Sequence, residues 1–382
     1  MPGTTDVVVI GGGIVGCAAA AMLADRGARV ILVERTGIGA GASGRNLGAV
    51  QHPFDPVLAP LHRESLARYQ ALAAGSDGAF EIGRRPAGLL LLNHDADAAA
   101  AQADRLAATY PELQPRLIAD DELVELEPSL AQGPSAVRLE TGYPIPPSSA
   151  TEAWASRAEE NGARLVIGSA ATPAVEGGRA RGITLDDGSS IAADAVLVAS
   201  GPWSGALLDP SGGWDRIRPT YGVTVQLRLD GDAPRHILEE DDVDGVNRAA
   251  AATARAAAAV QDSDPPSLFS MASAAGLSTI GSTFLPAEPD AARISPLLLR
   301  RAAGYLPAVA GAEVVGRRMC ARPQSVDGRP FIGPMAGVEG LFVCAGHGPW
   351  GISTGPASAA IVARAILDGT PPPPELDASR AT

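Results

Sequence analysis

Three glycines, Gly11, Gly13 and Gly16, stand in the segment GGGIVG, between the apolar run TDVVVI at 5 to 10 and the small-residue stretch IVGCAAAAMLADR at 14 to 26. A diphosphate needs this order of strand, glycine turn and helix. Gly11 permits a tight turn, Gly13 lets a pyrophosphate come up to bare backbone, and Gly16 lets the helix pack closely on the strand. Amides at the helix start, around Ile14 and Val15, then face the anion. Glu34 ends the second apolar run, ARVILVE, 23 residues after Gly11, in place for the hydroxyls of an adenosine ribose. The same carboxylate would repel a ribose 2′-phosphate and so disfavours NADP. By itself the motif fits FAD and NAD equally, and a helix–sheet crossing that merely needs small residues is the plainer alternative.

The elements that would position these residues form a βαβ unit: a strand over 5 to 10, a helix over 14 to 26 stopped by Gly27, and a strand over 28 to 34. The apolar runs lack polar alternation, as in central parallel strands covered on both faces. Residues 35 to 50 read as a glycine-rich loop. Helices are expected at about 56 to 73, 97 to 108, within 121 to 130, and at 149 to 161 with Ser148 or Ser149 as cap. A strand at ARLVIG, a hairpin turning at Asp187-Gly188 and strands at 220 to 230, 267 to 272 and 277 to 284 follow. The alanine-rich tract 249 to 260 reads equally as a short helix or a flexible insertion. The last unit is a strand at 341 to 346 and a helix at about 353 to 368. The expected fold is α/β: a Rossmann-like dinucleotide domain assembled from discontinuous segments, with a second, α+β domain inserted between its parts.

Composition bounds the function. The chain has 382 residues, 46% hydrophobic and 19% charged, with a net charge of −13, so it reads as a globular protein whose surface repels nucleic acid and anionic membranes. Cys17, Cys320 and Cys344 are scattered, with no CxxC pair; neither a disulfide framework nor a thiolate metal site is expected, and a reducing, cytoplasmic setting is. Residues 7 to 24 are long and apolar enough to suggest a membrane span. Three adjacent glycines, Asp6 in front and the lack of a basic n-region argue against a span or a signal peptide.

Five blocks, in order along nearly the whole chain, carry a resemblance: DVVVIGGGIVGCAAAAMLADRGARVILVE, GASGRN at 41 to 46, AADAVLVASGPWS at 192 to 204, RPQSVDGRPFIGP at 322 to 334 and CAGHGPWGISTGPASA at 344 to 359. The chain resembles the D-amino-acid oxidase-like (DAO) family of FAD-dependent oxidoreductases, which includes glycine, sarcosine and D-amino-acid oxidases and dehydrogenases. The resemblance implies FAD, held by residues 1–85, 145–218 and 323–382, and a substrate domain from 86–144 and 219–322 whose mixed sheet roofs the flavin ring. It places Gly11, Gly13, Gly16, Glu34 and Arg35 at the adenosine and pyrophosphate, with Ser43, Gly44, Arg45, Asn46 and Gly48 following the chain toward the ring. Ala171, Thr172 and Val175 would flank the adenine. Ser200, Gly201 and Trp203 belong to the same cofactor set. Gly346, His347, Gly348, Trp350, Gly351 and Ile352 would pass beside the isoalloxazine, where a helix start favours the electron-rich reduced ring. GHGPWG as a bare structural turn is the alternative.

On the substrate side the resemblance makes Arg322 a carboxylate clamp, since a guanidinium offers paired donors; an arginine tied into a salt bridge is the competing reading. His347, Trp350 and Tyr221 complete the candidate catalytic set, with Tyr305 and Met271 as further pocket candidates. The implied reaction is oxidation of the C–N bond of a small amine or amino acid, with hydride passing to flavin N5 and the imine hydrolysing afterwards. Electrons leave to O2 or another acceptor. A 2-hydroxy-acid or polyol dehydrogenase and a non-catalytic flavin subunit remain open, as do monomer and homodimer. Two departures stand out. Glycine oxidases carry a further arginine after the histidine, where this chain reads Gly348-Pro349-Trp350, so a bulkier or less acidic substrate with Trp350 as an apolar wall is expected. Cys320 occupies the place of the flavin-linked cysteine of monomeric sarcosine oxidases, and either a covalent or an inert thiol fits there.

Overall fold

Strand β1 (Thr5–Ile10), helix α1 (Ile14–Asp25) and strand β2 (Val30–Glu34) open the chain in this computed structural model, which describes residues 5–118, 120–229, 231, 233–241 and 267–381. Val7, Val8 and Val9 are all within 2% of full burial, because the sheet they join is covered on both faces. In space its strands run Phe331–Pro334, Leu341–Ala345, Ser190–Val198, β1, β2, Arg164–Ile167. Every neighbouring pair is parallel except the first. The strand Arg179–Leu185 pairs antiparallel with Ser190–Val198 and with Ala171–Glu176, so the Asp187-Gly188 turn closes a hairpin as the sequence suggests. The carboxyl ends at Ile10, Glu34, Val198 and Ala345 therefore share one edge, where α/β sheets place their ligands.

Helix α1 is buried on nearly every side. Ala18, Ala19, Ala20 and Ala21 are at most 1% exposed, which lets the helices Ser149–Glu160 and Gly351–Asp368 both pack on it. The C-terminal helix contains Pro356, which cannot donate to the carbonyl of Ile352 four residues back. The hydroxyl of Tyr69, on helix α2 (Leu58–Ala74), donates to that carbonyl at 2.8 Å, so the proline leaves no orphan acceptor beside the cavity.

The second sheet is mixed, in the order Glu313–Ser325, Ile217–Arg228, Leu277–Thr283, Ser267–Ala274, Ile237–Glu240, Leu89–Asn93, Ser135–Leu139, Arg116–Ile118. Side chains alternate between its faces. Val223, Val225, Leu238, Met271 and Ile280 form a core with Leu298, Ala302 and Tyr305 of the helix Ala291–Tyr305, and Phe269 stacks on Tyr305 with centroids 5.0 Å apart. The opposite face looks toward the carboxyl ends of the first sheet. Met271 and Tyr305 thus belong to packing and do not line the cavity, whereas Tyr221 does.

Boundaries shift modestly from the sequence expectations. The second strand begins at Val30, the last helix at Gly351, and the helix expected within 121 to 130 is Asp120–Leu126. Ser148 stands at the N-cap of Ser149–Glu160 without a capping hydrogen bond, while the Ser149 hydroxyl donates to the Pro146 carbonyl at 2.8 Å. The tract 249 to 260 lies outside the described residues. No helix among the described residues is long and apolar enough to cross a membrane; residues 7 to 24 are divided between β1 and α1.

Two histidines are walled into this structure. His52 is 3% and His62 4% exposed, with ring centroids 5.6 Å apart, and His52 also meets Tyr110 edge-on at 4.9 Å. Burial lowers the pKa of His52 to about 4 and that of His62 to about 3. The unfolded chain takes up these protons near 6.5 and the folded chain resists them, so stability present above pH 6.5 is lost as pH falls toward 4. Each histidine can contribute a slope of up to about 1.4 kcal/mol per pH unit. Thermal unfolding followed between neutral and mildly acidic pH should show a declining Tm, and His62→Leu should make that decline shallower.

Candidate active site

At the end of β1 the backbone closes on itself. Gly11 has φ of +117°, and a Cβ there would stand 2.6 Å from the carbonyl oxygen of Ala199. A Cβ on Gly16 would stand 1.9 Å from the Gly11 carbonyl oxygen, so only glycine lets α1 start this close to β1. The Glu34 carboxylate is held in place by the amides of Gly12 and Thr36, each donating at 2.8 Å to a different oxygen. The amide of Ile14 donates to Ser43 Oγ at 3.0 Å, which binds the loop to the helix start.

From this turn a cavity of about 780 Å³ runs between the two sheets. Its first stretch is lined by Gly11, Gly13, Ile14, Val15, Glu34 and Arg35. Arg35 lies over the Trp203 ring, 4.5 Å from its centroid, and Ala171, Thr172, Ser200 and Gly201 wall the same end. Ser43, Arg45 and Asn46 follow. Asn46 staples this loop: its Nδ2 donates to the carbonyls of Ser43 at 2.7 Å and Pro147 at 3.0 Å, and its Oδ1 accepts from the Gly48 amide at 2.8 Å.

The far end is built where the strand Leu341–Ala345 turns into the C-terminal helix. His347, Gly348, Trp350, Gly351 and Ile352 all face the cavity. His347 is 2% exposed, and among the described residues its Nε2 has no hydrogen-bond partner. Burial lowers its pKa to about 4, so the ring is neutral near pH 7.

Opposite stands Arg322. Its Nη1 donates to the Thr283 carbonyl at 2.8 Å, its Nη2 to Ser282 Oγ, and Phe284 carries the guanidinium 4.7 Å above its ring. A Cβ on Gly222 would stand 2.3 Å from Arg322 Nη2, so this glycine is the gap through which the guanidinium reaches across the strand Ile217–Arg228. Burial pulls the Arg322 pKa below its usual value, but a guanidinium starts far above neutrality and stays charged. No carboxylate is hydrogen-bonded to it, which sets aside the salt-bridge alternative among the described residues.

Five of the cofactor candidates, besides the pocket candidates Met271 and Tyr305, lie off the wall. Gly16 is beneath the turn, Gly44 and Gly48 pack against the carbonyls of Gly39 and Ile145, Gly346 packs against Ile217 and Ser325, and Val175 is 45% exposed on its strand. The wall also holds residues that sequence reasoning does not single out, among them Gln51, Glu239, Ser270, Ser282 and Phe284. Glu239 and Ser270 stand opposite each other on the second sheet, a relation visible only once the pairing is known.

A flavin dinucleotide fits this wall. The glycine turn offers bare backbone to a diphosphate, Glu34 is fixed at the ribose end, and the unpartnered His347 Nε2 and the helix start face the far end, where a ring system would lie.

The comparisons agree. The family model described as "DAO: FAD dependent oxidoreductase" matches residues 6–365. Glycine oxidase of Geobacillus kaustophilus (strain HTA426) is 29% identical over 378 residues, covering 94% of this chain and 92% of that protein. The crystal structure of glycine oxidase from Geobacillus kaustophilus superposes with a TM-score of 0.81 at 25% identity, covering 99% of both chains. Iminodiacetate oxidase from Chelativorans sp. BNC1 shares the fold, with a TM-score of 0.81 at 22% identity over 97% of this chain and 98% of that one.

Gly11→Ala puts a methyl group against the Ala199 carbonyl and forces a left-handed φ on alanine, a strain of about 1–3 kcal/mol. The purified variant should retain FAD at least about tenfold more weakly, read from the flavin-to-protein absorbance ratio, with circular dichroism confirming the fold. Cys320 is 5% exposed and burial raises its pKa, outweighing the opposing pull of Arg322, Arg318 and Arg45. A thiol held protonated is a poor nucleophile, so acid precipitation should leave the yellow colour in the supernatant.

Proposed function

The chain belongs to the DAO family of FAD-dependent oxidoreductases and oxidises C–N bonds of amino acids or amines with FAD; from that premise we propose that its substrate is an amino acid gripped by its carboxylate on Arg322. The observation that carries this reading is the Arg322 guanidinium, charged, braced by Thr283, Ser282 and Phe284, and opening onto the cavity through the gap left by Gly222.

When bound, FAD would supply the two-electron acceptor for the hydride that leaves the α-carbon of the free-base amine, the resulting C=N iminium then giving up a proton to become the imine. The chain's own residues bind and align. Arg322 holds the carboxylate in a paired, charge-assisted contact, which fixes where the α-carbon lies. Trp350 and Tyr221 close the walls around the reacting carbon and keep water out. His347, neutral and buried, presents Nε2 as a fixed hydrogen-bonding group rather than a positive charge. The imine leaves the site and hydrolyses to the carbonyl product. Electrons then pass to O2 or to another acceptor.

Glycine oxidase and iminodiacetate oxidase, by their names, act on a primary and a secondary amine of small carboxylates, and a carboxylate clamp here fits either kind. Gly348-Pro349-Trp350 puts an aromatic wall beside that clamp, which suits a substrate larger than glycine.

Anaerobic mixing of the holoenzyme with D-, L- and N-methyl amino acids, amines and 2-hydroxy acids should bleach the oxidised flavin band with at least one amino acid. Bleaching by 2-hydroxy acids alone would overturn the reading. Arg322→Met should raise KM for amino acids by at least about tenfold, the worth of a hydrogen bond to a charged group, and affect amines lacking a carboxylate much less. Gly222→Ala, which displaces the guanidinium without removing it, should move KM in the same direction.

A further inference from the structure

Two polar side chains of α2 stand one turn apart on its buried face, and both end on the first turns of the C-terminal helix. Ser65 and Tyr69 are fully buried. Ser65 Oγ accepts from the amide of Ala357 at 3.0 Å, and the Tyr69 hydroxyl donates to the carbonyl of Ile352 at 2.8 Å. These two bonds bracket Pro356, whose missing N–H is the reason the Ile352 carbonyl has no donor inside its own helix. Burial raises the pKa of Tyr69 well above its ordinary value, so the phenol keeps its proton and remains a donor.

The carbonyl that Tyr69 caps belongs to the cavity wall. Gly351, Ile352 and Ser353 all line the ring end of the cavity. The carbonyl of Ile352 and the N–H of Ser353 are the two ends of one planar trans peptide and point in opposite directions. In a helix the N–H end points toward the helix start, and amides of the first turn have no partner within the helix. A proton donated to the carbonyl draws electron density through the peptide and makes its N–H a stronger donor, the polarisation that links successive hydrogen bonds. Tyr69 is thus electronically connected to the cavity, although its own ring packs on Phe80 and does not line the wall.

Other bonds hold the same turn in place. The Gln51 amide donates to Ser353 Oγ at 3.0 Å, and the Thr354 hydroxyl donates to the Trp350 carbonyl at 2.8 Å. Loss of the Tyr69 hydroxyl would therefore change the polarity of the turn more than its position.

We propose that Tyr69 is a positioning residue for the flavin: through the Ile352–Ser353 peptide it strengthens the amide donors at the ring end of the cavity and so favours the reduced form of bound FAD. A neutral oxidised ring gains little from a stronger donor, whereas a reduced ring carrying negative charge gains more. The difference increases the tendency of the cofactor to accept a hydride. The inference rests on the FAD site alone and is independent of which substrate Arg322 holds.

The test uses the FAD-loaded protein and the variants Tyr69→Phe, Pro356→Ala and the two combined. Neither of its two readouts needs a substrate. Equilibration with a reference dye gives the ratio of reduced to oxidised flavin at a fixed dye ratio. Sulfite titration gives a second measure: the sulfur lone pair forms a bond to N5 of the oxidised flavin, the negative charge passes to the ring, and the visible band bleaches. Tyr69→Phe should lower the reduced-to-oxidised ratio and weaken sulfite binding by about threefold or more, part of the worth of one neutral hydrogen bond. The combined variant, in which residue 356 again offers an N–H to the Ile352 carbonyl, should return both readouts to near the wild-type values. Loss of thermal stability in Tyr69→Phe with both flavin readouts unmoved would make Tyr69 a packing residue only and overturn the proposal. A combined variant that stays at the Tyr69→Phe values would overturn it as well, since the effect would then not pass through the carbonyl. Should Tyr69→Phe alone not fold, Pro356→Ala carries the test: two donors on one carbonyl should move both readouts the other way, and no movement would overturn the proposal.

Discussion

Between α1 and β1 there is no room for a side chain, and the rest of the cofactor site depends on that. The carbonyl oxygen of Gly11 occupies the space a Cβ of Gly16 would need, and the carbonyl of Ala199 occupies the space a Cβ of Gly11 would need. The first turn and the helix that follows it are thus locked at backbone distance to each other and to the distant end of the strand Ser190–Val198. Close approach turns the helix start and the glycine amides toward the cavity, and it sets Glu34 where the amides of Gly12 and Thr36 can hold its carboxylate. The helix macrodipole and the free amides act within about one turn, so a small retreat of α1 would forfeit most of their pull on an anion.

A second constraint governs the substrate end. The mixed sheet has one apolar face, sealed by the helix Ala291–Tyr305, and a cavity face whose side chains are small or polar at Gly222, Thr224, Ser270 and Gly281. Small residues along that row leave the volume that ligands and long side chains then fill. Arg322 crosses it over Gly222, and Glu239 enters it from the other side. Sheet alternation does the sorting, since a slip of one residue would exchange Glu239 with Leu238 and bury a carboxylate against the apolar helix.

The parts of the protein that could be read from its sequence are those where local pattern and tertiary role coincide. β1, α1 and β2 are visible because a doubly covered strand must be apolar throughout and a crossing of this closeness must be glycine. The C-terminal strand and helix, and the arginine before Pro323, are visible through their motifs. The strand Glu313–Ser325 is harder, because Arg317, Arg318 and Gly316 break the apolar alternation and its pairing partner lies some ninety residues earlier. Pro296 obscures the helix Ala291–Tyr305 in the same way. Glu239 was not legible at all. In sequence it is one of two adjacent glutamates beside an aspartate pair, and only the register with Ser270 separates it from Glu240, which pairs with Arg301 instead.

Sheet alternation puts these two neighbouring acidic residues to different uses. Glu240 is neutralised within the sheet and its helix by Arg301 and Tyr305, so its charge is spent on structure. Glu239, on the other face of the strand, lines the cavity and accepts a hydrogen bond from Gln51 Nε2. On the opposite side a guanidinium is braced by a carbonyl, a hydroxyl and an aromatic face, which orient it and leave the charge intact. The guanidinium is therefore preorganised with its charge still available to the cavity. A ligand carboxylate that meets it gains the contact without a further ordering cost. With Gly348-Pro349-Trp350 in place of a further arginine after His347, the proposed grip on a substrate carboxylate rests on how firmly Thr283, Ser282 and Phe284 hold that one guanidinium.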